Sequence, residues 1–97
     1  MTNPILSPAS VVALRPEVMA AEMDGETVIL EATSGMYSAL GATGSRIVGM
    51  IAEPASIADI CARLMTIYEV DAETCTRDVT AFLDQLNTDG FLVVTAG

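Results

Sequence analysis

The hydrophobic period of this chain changes once, at Gly41, and that change restricts the folds open to it. Before Gly41 the apolar residues come in short alternating runs between turn-forming residues. After it they recur every three to four positions, as on one face of a helix. Residues 10–14 are short and β-branched and are closed by Arg15-Pro16. Residues 17–23 form a weaker strand candidate, because Met and Ala are poor strand formers. Asp24-Gly25 is a strong hairpin signal, since both residues of such a turn need φ > 0. Residues 26–31 follow, with Val28 and Leu30 on one face and Thr27 and Ile29 on the other. Apolar residues on both faces mark a central strand. Thr33-Ser34-Gly35 makes a second turn into residues 36–40. Three antiparallel strands joined in this way form a meander with one exposed edge.

The second half reads as three capped helices. Thr43 caps the first, whose apolar positions are Ile47, Val48, Met50 and Ile51, and Pro54 stops it. Ser56 caps the second, with Asp59 three residues on as in a capping box. Its inward stripe is Ile57, Ile60, Cys61, Leu64 and Ile67 or Tyr68. Asp71 caps the third, which carries Ala72, Cys75, Val79, Phe82, Leu83 and Leu86 and ends at Asp89-Gly90. Residues 91–95 add a short terminal strand. The expected fold class is α+β: a winged helix-turn-helix in which a three-stranded antiparallel sheet is followed by three helices. Residues 10–97 form the single domain and residues 1–9 a flexible N-terminus.

Composition excludes several functions. The 97 residues include thirteen acidic side chains against four arginines, with no Lys or His, for a net charge of −9. Without His, Ser-His and Cys-His catalysis and His-containing metal sites drop out. Nucleic-acid binding needs cations to displace counterions from phosphate, and this field has the wrong sign. At 52% hydrophobic the chain is too apolar to be disordered. No targeting segment is visible, and no run approaches the roughly 18 apolar residues of a membrane span. A cytoplasmic protein is expected. Cys61 and Cys75 fall on apolar helix faces. They read as two buried thiols or as a disulfide between neighbouring helices, and without His they make a poor zinc site.

No residue group announces catalysis. Asp71, Glu73, Asp78, Asp84 and Asp89 crowd the third helix. Asp71 and Glu73 suit its N-terminal dipole, while Asp84 and Asp89 lie on a solvated face. Asp78 borders the apolar stripe and stays open to a binding role. The glycines lack the pattern and the Lys of a P-loop, and the hydroxyls have no base to activate them. No metal or cofactor is expected. The edge strand is more informative: Met36, Tyr37, Ala39 and Leu40 show none of the Lys, Pro or bulge that commonly protects an edge. Either Tyr37 and Leu40 simply pack in the core, or the edge accepts a peptide strand beside the third helix.

A family resemblance bears on that choice. Leu14-Arg15-Pro16-Glu17-Val18, Val28-Ile29-Leu30 and the run from Ser34 through Leu40 resemble the PqqD-like family, as does Gly41-Ala42-Thr43-Gly44-Ser45-Arg46-Ile47. So do Tyr68-Glu69-Val70-Asp71, Asp78-Val79, Phe82-Leu83, Leu86 and Asp89-Gly90-Phe91-Leu92. The likeness covers roughly residues 14–94. Gly41 stands where the family usually has Asn, Ser38 where a second aromatic is frequent, and Met36 where a basic residue is common. The resemblance implies a RiPP recognition element, a non-catalytic domain that binds the leader of a ribosomally made precursor peptide. The opening is most similar to the stand-alone recognition proteins of lasso-peptide pathways, which present the precursor to a leader peptidase or other maturation enzyme.

On that reading the leader adds as a strand along Gly35, Met36, Tyr37, Ser38, Ala39 and Leu40. Val28 and Leu30 join Tyr37 in its apolar environment. On the third helix Thr74, Asp78, Ala81, Phe82 and Gln85 line the groove, with Asp78 available to a cation. The alternatives are a PqqD-like chaperone for a radical-SAM enzyme and a winged helix-turn-helix DNA-binding protein. A homodimer through the edge strand is a further expectation; contact with nucleic acid or membrane is not.

Overall fold

Asp24 and Gly25 take φ values of 53° and 81°, the two left-handed residues of a tight hairpin turn. They join β2 (Val18–Met23) to β3 (Glu26–Glu31) with Met23 opposite Glu26 and Met19 opposite Leu30. A second turn, with Gly35 at φ 77°, leads into β4 (Tyr37–Leu40), where Ile29 faces Ser38 and Leu30 faces Tyr37. The sheet order is β2-β3-β4, so the expected meander is present. Both β2 and β4 are edges of it, however, where one exposed edge was expected. The computed structural model describes residues 6–95.

A second antiparallel sheet has the order β5-β1-β6, from β1 (Val11–Leu14), β5 (Ala55–Ser56) and β6 (Leu92–Thr95). The terminal strand expected at residues 91–95 is thus one flank of β1, with Val12 opposite Val94. The two-residue β5 had no signal of its own in the sequence. The chain is α+β, with antiparallel sheets and three helices in winged-helix order.

Helix α1 spans Ala42–Met50, α2 Ile57–Ile67 and α3 Ala72–Thr88. Ser56 caps α2 by accepting from the Asp59 N–H, and Asp71 caps α3 by accepting from the Thr74 N–H. Gly90, at φ 88°, closes α3 in a Schellman motif: the Phe91 N–H donates to the Leu86 carbonyl and the Gly90 N–H to the Asn87 carbonyl. Phe91 is thereby turned into the core beside Leu86. The start of α1 differs from expectation. The cap is Gly41, not Thr43, because the chain turns into the helix directly from β4, and no side chain accepts the first N–H groups.

Ile29, Ile51, Ile57, Ile60, Leu83 and Phe91 are fully buried at the centre, each contributing about 1.5–3 kcal/mol relative to exposure. On α2 the stripe Ile57, Ile60, Cys61 and Leu64 is buried as the spacing implies. It continues into half-buried Tyr68, while Ile67 is exposed. Of the stretch 1–9 expected to be a flexible N-terminus, residues 1–5 lie outside the described residues. Leu6 is in the core, and the carbonyls of Pro8 and Ser10 accept from the Ala58 and Ile57 N–H groups at the start of α2.

Cys61 and Cys75 are both buried and free, so the disulfide alternative does not hold. Burial, followed by the neighbouring Cys61, pushes the Cys75 thiol up to about 11, which makes it a neutral packing group at physiological pH.

A Cβ at Gly41 meets nothing within 4 Å, and its backbone is ordinary extended chain at φ −74°. Gly41→Asn supplies the missing cap and removes backbone freedom from the unfolded chain. It is expected to raise stability by about 0.5–1 kcal/mol, or roughly 2–8 °C in a thermal melt.

Candidate functional site

The main-chain hydrogen bonds of β4 have a definite direction. The Glu31 N–H donates to the Met36 carbonyl at 2.8 Å, and Glu31 and Met36 share the register that places Ile29 opposite Ser38 and Thr27 opposite Leu40. In an antiparallel ladder the bonded pairs alternate, so residues 38 and 40 turn their N–H and C=O toward β3, and Met36 its C=O, while the Met36 N–H donates to Ser34 Oγ at 3.2 Å. Tyr37 and Ala39 therefore aim theirs at the open edge. Among the described residues β4 pairs with β3 alone. Its free side is a template for one more strand.

Beside that edge lies an open groove of about 380 Å³ between β4, the start of α1 and one flank of α3. Leu40, Ile47, Val79, Phe82 and Leu86 supply apolar lining, and Gly41 and Gly44 keep the α1 wall low. Gly44 has a specific reason to be glycine. A Cβ there would stand 3.2 Å from Cε1 and Cζ of Phe82 and 3.4 Å from the Leu40 Cβ. The Phe82 ring thus lies directly over the α1 backbone. Carboxylates stand at two points along the α3 flank. Asp78 lies 3.5 Å from the Arg77 Nε in a mostly exposed pair that contributes little. Asp89 accepts from Gln85 Nε2 at 3.2 Å.

Among the described residues no buried side-chain nitrogen or oxygen lacks a hydrogen-bond partner. No cluster of three or more His, Cys, Asp or Glu among them is placed to hold a metal ion. The groove offers apolar surface and strand-edge groups. It does not offer an activated nucleophile.

The expected site residues separate into two groups. Ser38, Ala39, Leu40, Asp78, Phe82 and Gln85 line the groove together. Asp78, Phe82, Gln85 and Asp89 form one row of α3 at helical spacing. Gly35 and Met36 belong to the turn that leads into β4, and Tyr37 presents main-chain groups to the edge. The Tyr37 side chain, 71% exposed, points to the opposite side of the sheet. Val28 and Leu30 share that opposite side, because they sit across from Ala39 and Tyr37 in the register. Thr74 is occupied in the α3 cap, its Oγ1 donating to Asp71 at 2.8 Å, and Ala81 is exposed away from the lining. Thr43, Gly44 and Ile47 of α1 were not among the expected residues. Only the small Gly44, one turn into a helix, carried a sequence signal for close approach.

The turn that sets β4 is held by Glu31. Its Oε1 accepts from the Ser34 N–H at 2.7 Å and its carbonyl from the Gly35 N–H at 2.8 Å. The Ser34 N–H holds this carboxyl below the ordinary glutamate value of 4.5, against the opposing effect of burial. A carboxyl with a lowered folded value stabilises the protein fully above its unfolded value. That contribution is lost as pH falls below about 4.5 and through the folded value. Glu31→Gln should lower the melting temperature at pH 7 and make its decline between pH 5 and pH 3 shallower than in the wild type. Melts across that range check this.

No curated protein matches the chain significantly. Two solved structures are similar to it. TbiB1 in complex with the TbiA(beta) leader peptide is 32% identical, with a TM-score of 0.79 over 88% of this chain and 99% of that one. A lasso peptide synthetase B1 complexed with the leader peptide is 33% identical, with a TM-score of 0.75 over 84% and 96% of the two chains. The family model described as coenzyme PQQ synthesis protein D matches residues 26–92. That span runs from the first residue of β3 to the first residue of β6 and takes in both walls of the groove, and the chain belongs to the PqqD family.

Proposed function

We propose that this protein binds the leader of a ribosomally made precursor peptide by strand addition to β4. It then presents the precursor to a leader peptidase or other maturation enzyme of a lasso-peptide pathway. The observation that carries this reading is the open β4 edge lying against an apolar groove. Both similar structures are leader-peptide complexes, which supports the same use of this chain. Main-chain bonds to Tyr37 and Ala39 supply affinity with little regard to sequence. Alternate leader side chains enter the groove against Leu40, Val79 and Phe82 and supply selectivity. Asp78 and Asp89 favour a basic residue near an apolar anchor.

The role is non-catalytic, and the protein works in the cytoplasm. Among the described residues no helix is long and apolar enough to cross a membrane. Service to a radical-SAM enzyme would use the same edge and groove, so the neighbouring genes separate it from the lasso pathway. A homodimer through β4 would compete with the leader for one edge. DNA binding is disfavoured, because α3 offers a single cation, Arg77, among Glu73, Asp78 and Asp84.

Calorimetric titration with the leader of the precursor encoded beside its gene tests the assignment. Phe82→Ala should weaken binding about tenfold or more. Tyr37→Pro removes an edge-directed N–H but no β3–β4 bond, and should weaken binding while the fold persists. If both variants bind like the wild type, the groove assignment is wrong. Gly44→Ala makes a sharper test. Removing a helix glycine favours folding by about 0.5–1 kcal/mol, whereas the new methyl pushes the Phe82 ring toward the groove. Stability should change little and leader affinity should fall several-fold.

A further inference from the structure

The face of the β2-β3-β4 sheet opposite the groove is apolar, and no other element among the described residues covers it. Register places Met19, Leu30 and Tyr37 in one row across the three strands and Ala21, Val28 and Ala39 in the next. Met19 is 58% exposed and Met23 61%, and Tyr37 is more exposed than either. An antiparallel sheet that faces water on one side normally carries polar residues there. A contiguous apolar band of this kind marks an interaction surface.

Charge indicates what fits it. No Lys or Arg occurs between Arg15 and Arg46, and of the carboxylates in that stretch Asp24 and Glu26 stand at the band, whereas register puts Glu22 and Glu31 on the groove side of the sheet. Glu26 lies on the band itself, opposite Met23, and Asp24 at the hairpin tip beside it. A second copy of the chain would set these carboxylates against their own kind with no cation in the patch to separate them. The complementary occupant is an apolar surface bordered by Lys and Arg.

Strand addition indicates when it docks. A strand laid along β4 continues the sheet, and side chains alternate across it. Every second residue of a bound leader therefore falls on this outer face, next to Tyr37 and Ala39. We infer that the outer face of β2-β3-β4 docks the enzyme that processes the precursor, through an apolar patch ringed by basic residues, and that bound leader enlarges the docking surface. The inference rests on the leader-binding reading and adds the second surface that presentation requires. The enzyme then meets a composite of protein and leader and favours the loaded domain over the empty one.

Met19 and Met23 lie on β2, two strands from the leader edge, so the two sites can be tested apart. The full-length chain and its Met19→Thr/Met23→Thr variant are titrated with the leader by calorimetry. Each is then titrated with the processing enzyme encoded beside the gene, by biolayer interferometry, with and without saturating leader. Retained leader affinity shows that the variant is folded. The wild type should bind the enzyme more tightly when loaded, and the double variant should bind it roughly tenfold more weakly or worse, a loss of about 1.4 kcal/mol. Glu26→Lys should weaken the association and flatten its salt dependence. Normal leader binding with enzyme affinity unchanged in the double variant, or with no enzyme binding by the wild type, overturns the inference. So does a concentration-dependent wild-type dimer that the double variant abolishes. A wild type that takes up no leader overturns the leader-binding reading, and the docking inference with it.

Discussion

Tyr37 and Ala39 hold their N–H and C=O groups away from β3, the one strand that β4 pairs with among the described residues, and the rest of the site is arranged around that geometry. A short, flat edge of this kind, without Lys or Pro, invites pairing with another chain. The Glu31 carboxylate and the left-handed Gly35 fix the turn that aims it. The α1 helix starts immediately after β4, at Gly41, which leaves no loop to fold back over the edge. On the far side α3 runs past with Phe82 laid over Gly44. Edge and groove are therefore one feature, and a chain that pairs with β4 must also meet the α3 flank.

Much of this was legible in local sequence chemistry. Asp24-Gly25, Ser56, Asp71 and Gly90 each perform the turn or capping role their residue types suit, because each depends on atoms within a few residues. What escaped was non-local. β5 is two residues long and exists only because β1 lies beside it. Strand period showed that Val28 and Leu30 share a face but not which face meets the helices, since both faces of β3 are apolar. Ile29, not its neighbours, turned out to be the core residue, and Val28 and Leu30 moved to the outer face. The Gly41 cap and the Gly44–Phe82 contact depend on where β4 delivers the chain, which no local rule encodes.

The two faces of the small sheet then divide the work. The inner side and the β4 edge form the groove, and the outer side carries methionines and a tyrosine with Asp24 and Glu26 at the hairpin end. On the proposed reading the negative charge acquires a use, in favouring a basic-rimmed partner over a second copy of the chain.

Amide hydrogen exchange with and without the leader peptide distinguishes strand addition at β4 from other binding modes, because it reads the direction of each N–H along that strand. The leader should slow exchange at Tyr37 and Ala39 and change little at Ser38 and Leu40, whose N–H groups already face β3. Protection appearing instead at Ala20 and Glu22 on the other edge, or no new protection at Tyr37 and Ala39 under saturating leader, would rule out strand addition at β4.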